Sequence, residues 1–269
     1  NSSNFLRFAC VKHSAKNRWG QHFLADTNLL KKLVELISPT SDDSILEIGP
    51  GGGALTELLA PKVEHLVGIE IDRELYEDLK ERKDLTNCQF INRDFLKVDL
   101  RKIPFRTGQV RVVGNLPYNI TSPILFKLTA HDPFWRDCHF MVQKEVGERM
   151  AAKAGSKTYG RLSVNLQAVA KVKIVLTVPP EVFVPKPKVD SAVVRIKPRF
   201  AVFNSSRELE ALQVITRLAF GQRRKMLRNS LASLKIDSSL FDLTYRPEKV
   251  KLEEFIMMAK WRVKSGHVI

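Results

Sequence analysis

Asn115-Leu116-Pro117-Tyr118 combines residue types that can offer acceptors and a stacking face to a planar amine. The Asn115 side-chain oxygen and the Leu116 backbone carbonyl can each accept a hydrogen from an exocyclic amino group. Pro117 stiffens the turn and, lacking an N–H, adds no competing donor. Tyr118 offers a ring on which a base can lie. Gly49-Pro50-Gly51-Gly52-Gly53-Ala54 is a second candidate, because glycines let backbone approach a ligand closely and adopt positive φ. Glu70 follows about twenty residues on, the distance at which an acid can take two ribose hydroxyls. Asp94 can accept from an adenine amino group; as a turn cap it would serve equally well.

These residues need a sheet to position them. Val110–Gly114 is a β-branched run that reads as a buried parallel strand. Asn115 therefore stands at the carboxyl end of a strand, where open α/β sheets bind ligands. Ser44–Ile48 predicts a short buried strand that runs into the glycine loop and then a helix to about 60. Strand, glycine loop and helix form a nucleotide-cradling unit. Further strands are expected at 65–71, 88–92, 140–142, 172–178 and 191–197. Helices are expected at 28–38, 73–82, 121–130, 143–152 and 162–170. Taken alone, Gly49-x-Gly51-x-x-Ala54 also satisfies a nicotinamide-dinucleotide fingerprint, so a dehydrogenase competes at this point.

Residues 155–161 read as a flexible basic loop, either touching phosphates or serving as a solvated connection. Phe183 opens Phe183-Val184-Pro185-Lys186-Pro187-Lys188, a rigid extended segment. Its ring either stands beside the pocket or anchors that loop in the core. Beyond about 201 the periodicity becomes wholly helical, at 207–219, 222–235 and 248–263. This gives a basic arm over 1–20, a Rossmann-like domain over 21–202 and a helical domain over 203–269. Within the last, Arg223, Arg224, Lys225 and Arg228 place four cations in six residues. That stretch reads as a phosphate-gripping helix start.

The chain has 269 residues and a net charge of +15, which favours a polyanionic partner, nucleic acid above membrane. Residues 201–269 carry 13 basic and 7 acidic side chains, so the excess continues into the helical part. No apolar run approaches the ~20 residues of a membrane span. No secretory signal is visible, and the first dozen residues read as a solvated tail. Cys10, Cys88 and Cys138 form neither a disulfide framework nor a zinc pattern, which suits a reducing compartment.

With these residues in place, the chain resembles the ribosomal RNA adenine dimethyltransferase family, the KsgA group and its Erm relatives. The resemblance rests on separated motifs in order: GQHFL at 20–24, EIGPGGGALT at 47–56, IEID at 69–72, NRD at 92–94, GNLPYNITSPI at 114–124, HFMVQKEV at 139–146, YGRLSV at 159–164, FVPKPKVDSAVVR at 183–195 and FGQRRKMLRNSL at 220–231. It is most similar to the bacterial small-subunit KsgA branch. The resemblance implies a Rossmann-like class I S-adenosylmethionine-dependent methyltransferase that dimethylates two adjacent adenosines near the 3′ end of small-subunit rRNA, with a part in ribosome biogenesis. It sets Gly49 and Gly51 against the methionine part of S-adenosylmethionine, Glu70 on its ribose and Asp94 on its adenine. His22 and Leu24 stand where the family closes the cofactor site; the common residue at 22 is asparagine, and an imidazole keeps one bond there. Asn115 would reach both cofactor and target amine. Tyr118 and Phe183 would sandwich the flipped adenine. The resemblance further implies no metal, a monomer and a cytoplasmic setting. A non-catalytic assembly factor and an Erm-like enzyme of large-subunit rRNA are the alternatives.

Overall fold

The computed structural model describes residues 23–24, 26–103, 105, 110–117, 120–129 and 134–266. Cys10, His22, Tyr118 and the basic arm lie outside them. The described chain starts at β1 (Phe23–Leu24) and α1 (Thr27–Ile37). Asp26 caps α1 by accepting the Leu29 N–H at 2.7 Å, and Leu30, Leu33, Val34 and Ile37 form its buried stripe. Such a cap contributes about 1 kcal/mol. The helix stops at Ser38, whose φ of 52° is left-handed, just before Pro39.

Next come β2 (Ser44–Ile48), α2 (Ala54–Leu59), β3 (His65–Glu70), α3 (Arg73–Lys80), β4 (Cys88–Asn92) and β5 (Val110–Asn115). They are followed by α4 (Thr121–Thr129), β6 (Trp135–Gln143), α5 (Lys144–Ala151), α6 (Arg161–Val169) and β7 (Ala170–Val178). β8 (Phe183–Val184) pairs antiparallel with β1, and β9 (Ser191–Pro198) completes the main sheet. That sheet runs β4-β3-β2-β5-β6-β9-β7. β2, β3, β4, β5 and β6 are parallel, while β9 is antiparallel to β6. β2 and β5 are buried almost throughout because helices cover both sides of a parallel sheet.

The strand order reverses between β2 and β5. β3 and β4 stack outward on one side of β2, and β5 and β6 on the other. A crevice opens at the carboxyl ends of strands at such a switch point. At the opposite end of β5, Arg111 is buried and paired with Asp137 at 2.8 Å and Asp43 at 3.3 Å. This buried ionic network ties β5 to β6 and to the entry of β2.

The chain divides into two compact units, 1–147 with 173–197 and 148–172 with 198–269. The second unit thus takes in 148–172, which the expected boundary near 202 assigns to the first domain. The reason is packing. Tyr159, Val164 and Ala168 share one core with Leu212, Ile215, Phe255 and Met258. The helical unit contains α7 (Ser206–Gly221), α8 (Leu227–Ser230) and α9 (Leu252–Lys264). A helix over 222–235 does not form. Lys225 N–H closes a turn on Gln222 O, and the Leu227 and Arg228 N–H groups donate to Tyr245 O and Leu243 O. These non-local bonds outcompete the local helical ones. Nor is 155–161 a free loop: Gly155 N–H donates to Glu248 O at 2.7 Å, and Tyr159 is buried edge-on against Phe220.

Candidate active site

The glycine loop leaves β2 through Gly49, Gly51 and Gly53, with φ of 69°, 58° and 82°. Non-glycine residues adopt these angles rarely, so the backbone path itself demands glycine. A Cβ on Gly49 would meet nothing within 4 Å, so the loop presents an open face there. The Phe23 ring lies against Gly51, within 3.2 Å of where a Cβ would be. Phe23 is a site-lining residue that its motif did not single out; only its place between His22 and Leu24 hinted at it.

Two buried carboxylates lie under the loop. Glu70 closes β3 and is 3% exposed. Its Oε2 accepts the Gly51 N–H at 2.9 Å and its Oε1 accepts the Asp72 N–H at 2.9 Å. Glu70 thus braces the loop directly. Burial pushes its carboxyl up, against the pull of these backbone bonds. The Ile71 backbone N–H acts on the carboxylate as well, and of its roughly four acceptor sites some capacity remains for a further donor. Glu47, on β2, accepts from Thr56 Oγ1 at 2.6 Å. Burial pushes Glu47 up to about 7; the Thr56 bond opposes this and the Glu70 charge adds to it. A carboxylate inside the apolar run Ser44–Ile48 was the signal that could have flagged it.

Asp94 follows β4. Its Oδ1 accepts the Leu96 N–H at 2.9 Å, which is the capping alternative realised. The second oxygen keeps capacity for another donor. Lys127, from α4, holds the same turn by donating to Leu96 O and Val98 O at 2.7 and 2.6 Å.

Gly114 sets the other wall. A Cβ there would come within 2.6 Å of the Ile48 carbonyl, so β2 and β5 approach closely because position 114 is glycine. This brings Asn115 alongside the start of the glycine loop, across the switch point. Leu116 N–H donates to Met141 O at 3.0 Å. The Pro117 carbonyl accepts from Ile120 N–H at 3.2 Å and from Thr121 Oγ1 at 3.0 Å. Among the described residues, none donates to the Leu116 carbonyl. The turn therefore uses up its Pro117 acceptor and keeps the Leu116 one.

Phe183 is 2% exposed and packs with Leu33, Met141, Val178 and Val193. This is the core-anchor alternative, not an open stacking face. Leu24 pairs with it across β1 and β8 and joins the same cluster. Arg223, Arg224, Lys225 and Arg228 belong to the helical unit and are all exposed. Arg223 is committed internally, donating to Lys157 O at 2.6 Å and lying 3.9 Å from Glu248. No carboxylate among the described residues pairs with the other three. Among the described residues there is no cluster of His, Cys, Asp and Glu placed to hold a metal. No helix among them is long and apolar enough to cross a membrane.

A reversed strand order, a glycine turn on the first strand, acids closing the next two and an antiparallel last addition define a Rossmann-like class I methyltransferase fold. Residues 12–257 match the family model described as ribosomal RNA adenine dimethylase, and the chain belongs to that family of S-adenosylmethionine-dependent enzymes. It is 45% identical over 252 residues to the ribosomal RNA small subunit methyltransferase A of Leptothrix cholodnii, covering 92% of each chain. It is 42% identical to the protein of that name from Shewanella pealeana, covering 92% and 94%. Among solved structures it is similar to a dimethyladenosine transferase from Plasmodium falciparum. That match has a TM-score of 0.81 and 27% identity over 91% of this chain and 98% of the other. The 23S rRNA methyltransferase ErmE matches with a TM-score of 0.68 and 25% identity, over 90% and 99%.

Proposed function

We propose that this chain dimethylates the exocyclic amines of two adjacent adenosines near the 3′ end of small-subunit rRNA, acting as a cytoplasmic monomer during small-subunit assembly. The observation that carries this reading is the Leu116 carbonyl, left without a donor among the described residues beside Asn115. An Erm-like large-subunit target is disfavoured by the 114–124 and 183–195 motifs.

The residues fit S-adenosylmethionine. The open face at Gly49 admits the methionine part, and the unused lone pairs of Glu70 and Asp94 suit ribose hydroxyls and an adenine amino group. Leu24 borders the site from the N-terminal side, next to the position where the family resemblance sets His22. When bound, the cofactor supplies an electrophilic methyl on a sulfonium.

An adenine amine is a weak nucleophile because its lone pair is delocalised into the ring. It is hardly basic, so the site needs no strong base. The Asn115 oxygen and the Leu116 carbonyl each hold one amine hydrogen. Together they favour a pyramidal nitrogen and aim its lone pair along the transfer line. The gain is positioning and electrostatics. The base must leave its stack at a cost of a few kcal/mol, offset in part by stacking on Tyr118. Phe183 contributes by fixing the loop that borders the pocket, from within the core. On methylation the nitrogen becomes an acidic ammonium that gives one proton to solvent, and the hydrogen it keeps can be held by either acceptor for the second transfer.

Asn115→Ala tests this reading. Tritiated methyl incorporation into undermethylated small subunits should fall by at least about a hundredfold, while rRNA affinity stays near wild type. Near-normal incorporation would remove Asn115 from the reaction.

A further inference from the structure

The helical unit carries an exposed aromatic where its unpaired cations gather. Tyr245 is 52% exposed and Met226 is 38% exposed. The Leu227 N–H donates to Tyr245 O and the Arg228 N–H to Leu243 O, each at 2.9 Å, so the 226–228 and 243–245 segments lie side by side. Leu227 and Leu243 turn into the core, which leaves Met226, Arg228 and Tyr245 outward. Arg224, Lys225, Arg228 and Arg246 are exposed too, and no carboxylate among the described residues pairs with them. A concavity of about 480 Å³, with Arg228, Leu240 and Thr244 in its wall, opens on the same segment. Its acid, Asp242, already accepts from Thr244 Oγ1 at 2.6 Å.

We propose that Tyr245, on the segment hydrogen-bonded alongside 226–228, is a stacking platform for an unpaired base of the rRNA, held there by the cations of these two segments on the flanking phosphates. The inference rests on the reading of the chain as an rRNA enzyme and extends it from charge to the kind of RNA recognised. A surface of cations alone would grip a continuous duplex equally well. A half-exposed ring gains area only from a base whose face is open, as in a loop or bulge.

The test compares the full-length protein with Tyr245→Ala, Tyr245→Phe and the quadruple neutralisation of Arg224, Lys225, Arg228 and Arg246. Probes are a hairpin RNA with an unpaired loop and a blunt duplex of equal length. Tyr245→Ala should lose roughly tenfold in affinity for the hairpin and little for the duplex, with an unchanged salt slope. Tyr245→Phe should keep wild-type affinity, since the ring face and not the hydroxyl does the binding. The quadruple variant should weaken both probes and flatten the slope. If Tyr245→Ala binds the hairpin like wild type while the quadruple variant weakens, the platform is overturned and the RNA grip stands. If neither variant weakens, both readings fall. If Tyr245→Ala weakens hairpin and duplex equally, the ring does not read an open base face and the platform is overturned.

Discussion

At the scale of residues, two buried groups titrate in opposite senses. His139 is 4% exposed and neither ring nitrogen has a hydrogen-bond partner among the described residues. Burial lowers it to about 4, with Asp137 opposing and Arg111 assisting. The unfolded chain binds a proton at His139 near pH 6.5, so the neutral buried ring contributes stability above that pH. That contribution is lost as pH falls towards 4. Glu47 runs the other way. Raised to about 7, it holds a proton in the fold that the unfolded chain releases near 4.5. Its contribution is present below 4.5 and lost as pH rises through 7. Each effect is on the order of 3 kcal/mol and they overlap, so the wild-type profile conceals both. Thermal unfolding followed from about pH 4 to 8 separates them. His139→Leu should hold its Tm better than wild type on acidification, and Glu47→Gln should hold it better on alkalisation. Parallel profiles for all three proteins would contradict the assignment.

At the scale of elements, Gly114 couples stability to chemistry. Gly114→Ala puts a methyl 2.6 Å from the Ile48 carbonyl, and backbone must move to admit it. Overpacking of this kind costs about 1–3 kcal/mol, a Tm loss of several degrees. Because Asn115 is the next residue, methyl transfer should fall further than the reduced stability explains when assayed well below Tm. Full activity with an unchanged Tm would show that β2 and β5 do not approach as described. The strands flanking this point were legible in the sequence, since two-sided burial writes a continuous apolar run. Ser44–Ile48, buried at every position, matches its expected bounds; Cys88–Asn92 also matches its bounds, but as a half-exposed edge strand. The pairing of Phe23–Leu24 with Phe183–Val184 was not legible, because two residues carry no period and the partners are far apart in sequence. Phe183 kept two readings for the same reason: an aromatic beside prolines suits a pocket or a core, and only its burial separates them. The expected 222–235 helix failed because its N–H groups find partners near Tyr245, which local periodicity cannot encode. The glycine loop, Glu70, Asp94 and Asn115 were readable because each stands at or just past the end of a strand.

At the scale of the whole molecule, charge and fold divide the work between binding and chemistry. The net charge of +15 raises the local concentration of RNA without choosing a base. Neutralising Arg223, Arg224, Lys225 and Arg228 should weaken rRNA binding and flatten the dependence of log affinity on log salt by roughly 0.7 for each phosphate no longer neutralised. Arg223 should contribute least, being already engaged with Lys157 O and Glu248. An unchanged slope would take these cations out of the interface. In the proposed reading the choice of base falls to the Asn115 and Leu116 acceptors, which suit the two hydrogens of an adenine amine. The most direct test is to incubate the protein and S-adenosylmethionine with small subunits lacking adenine dimethylation, then map modified bases along the rRNA. Two adjacent dimethyladenosines near the 3′ end, absent with Asn115→Ala, are the expected result. Methyl groups elsewhere, on one adenosine only, or undiminished in the variant would contradict it.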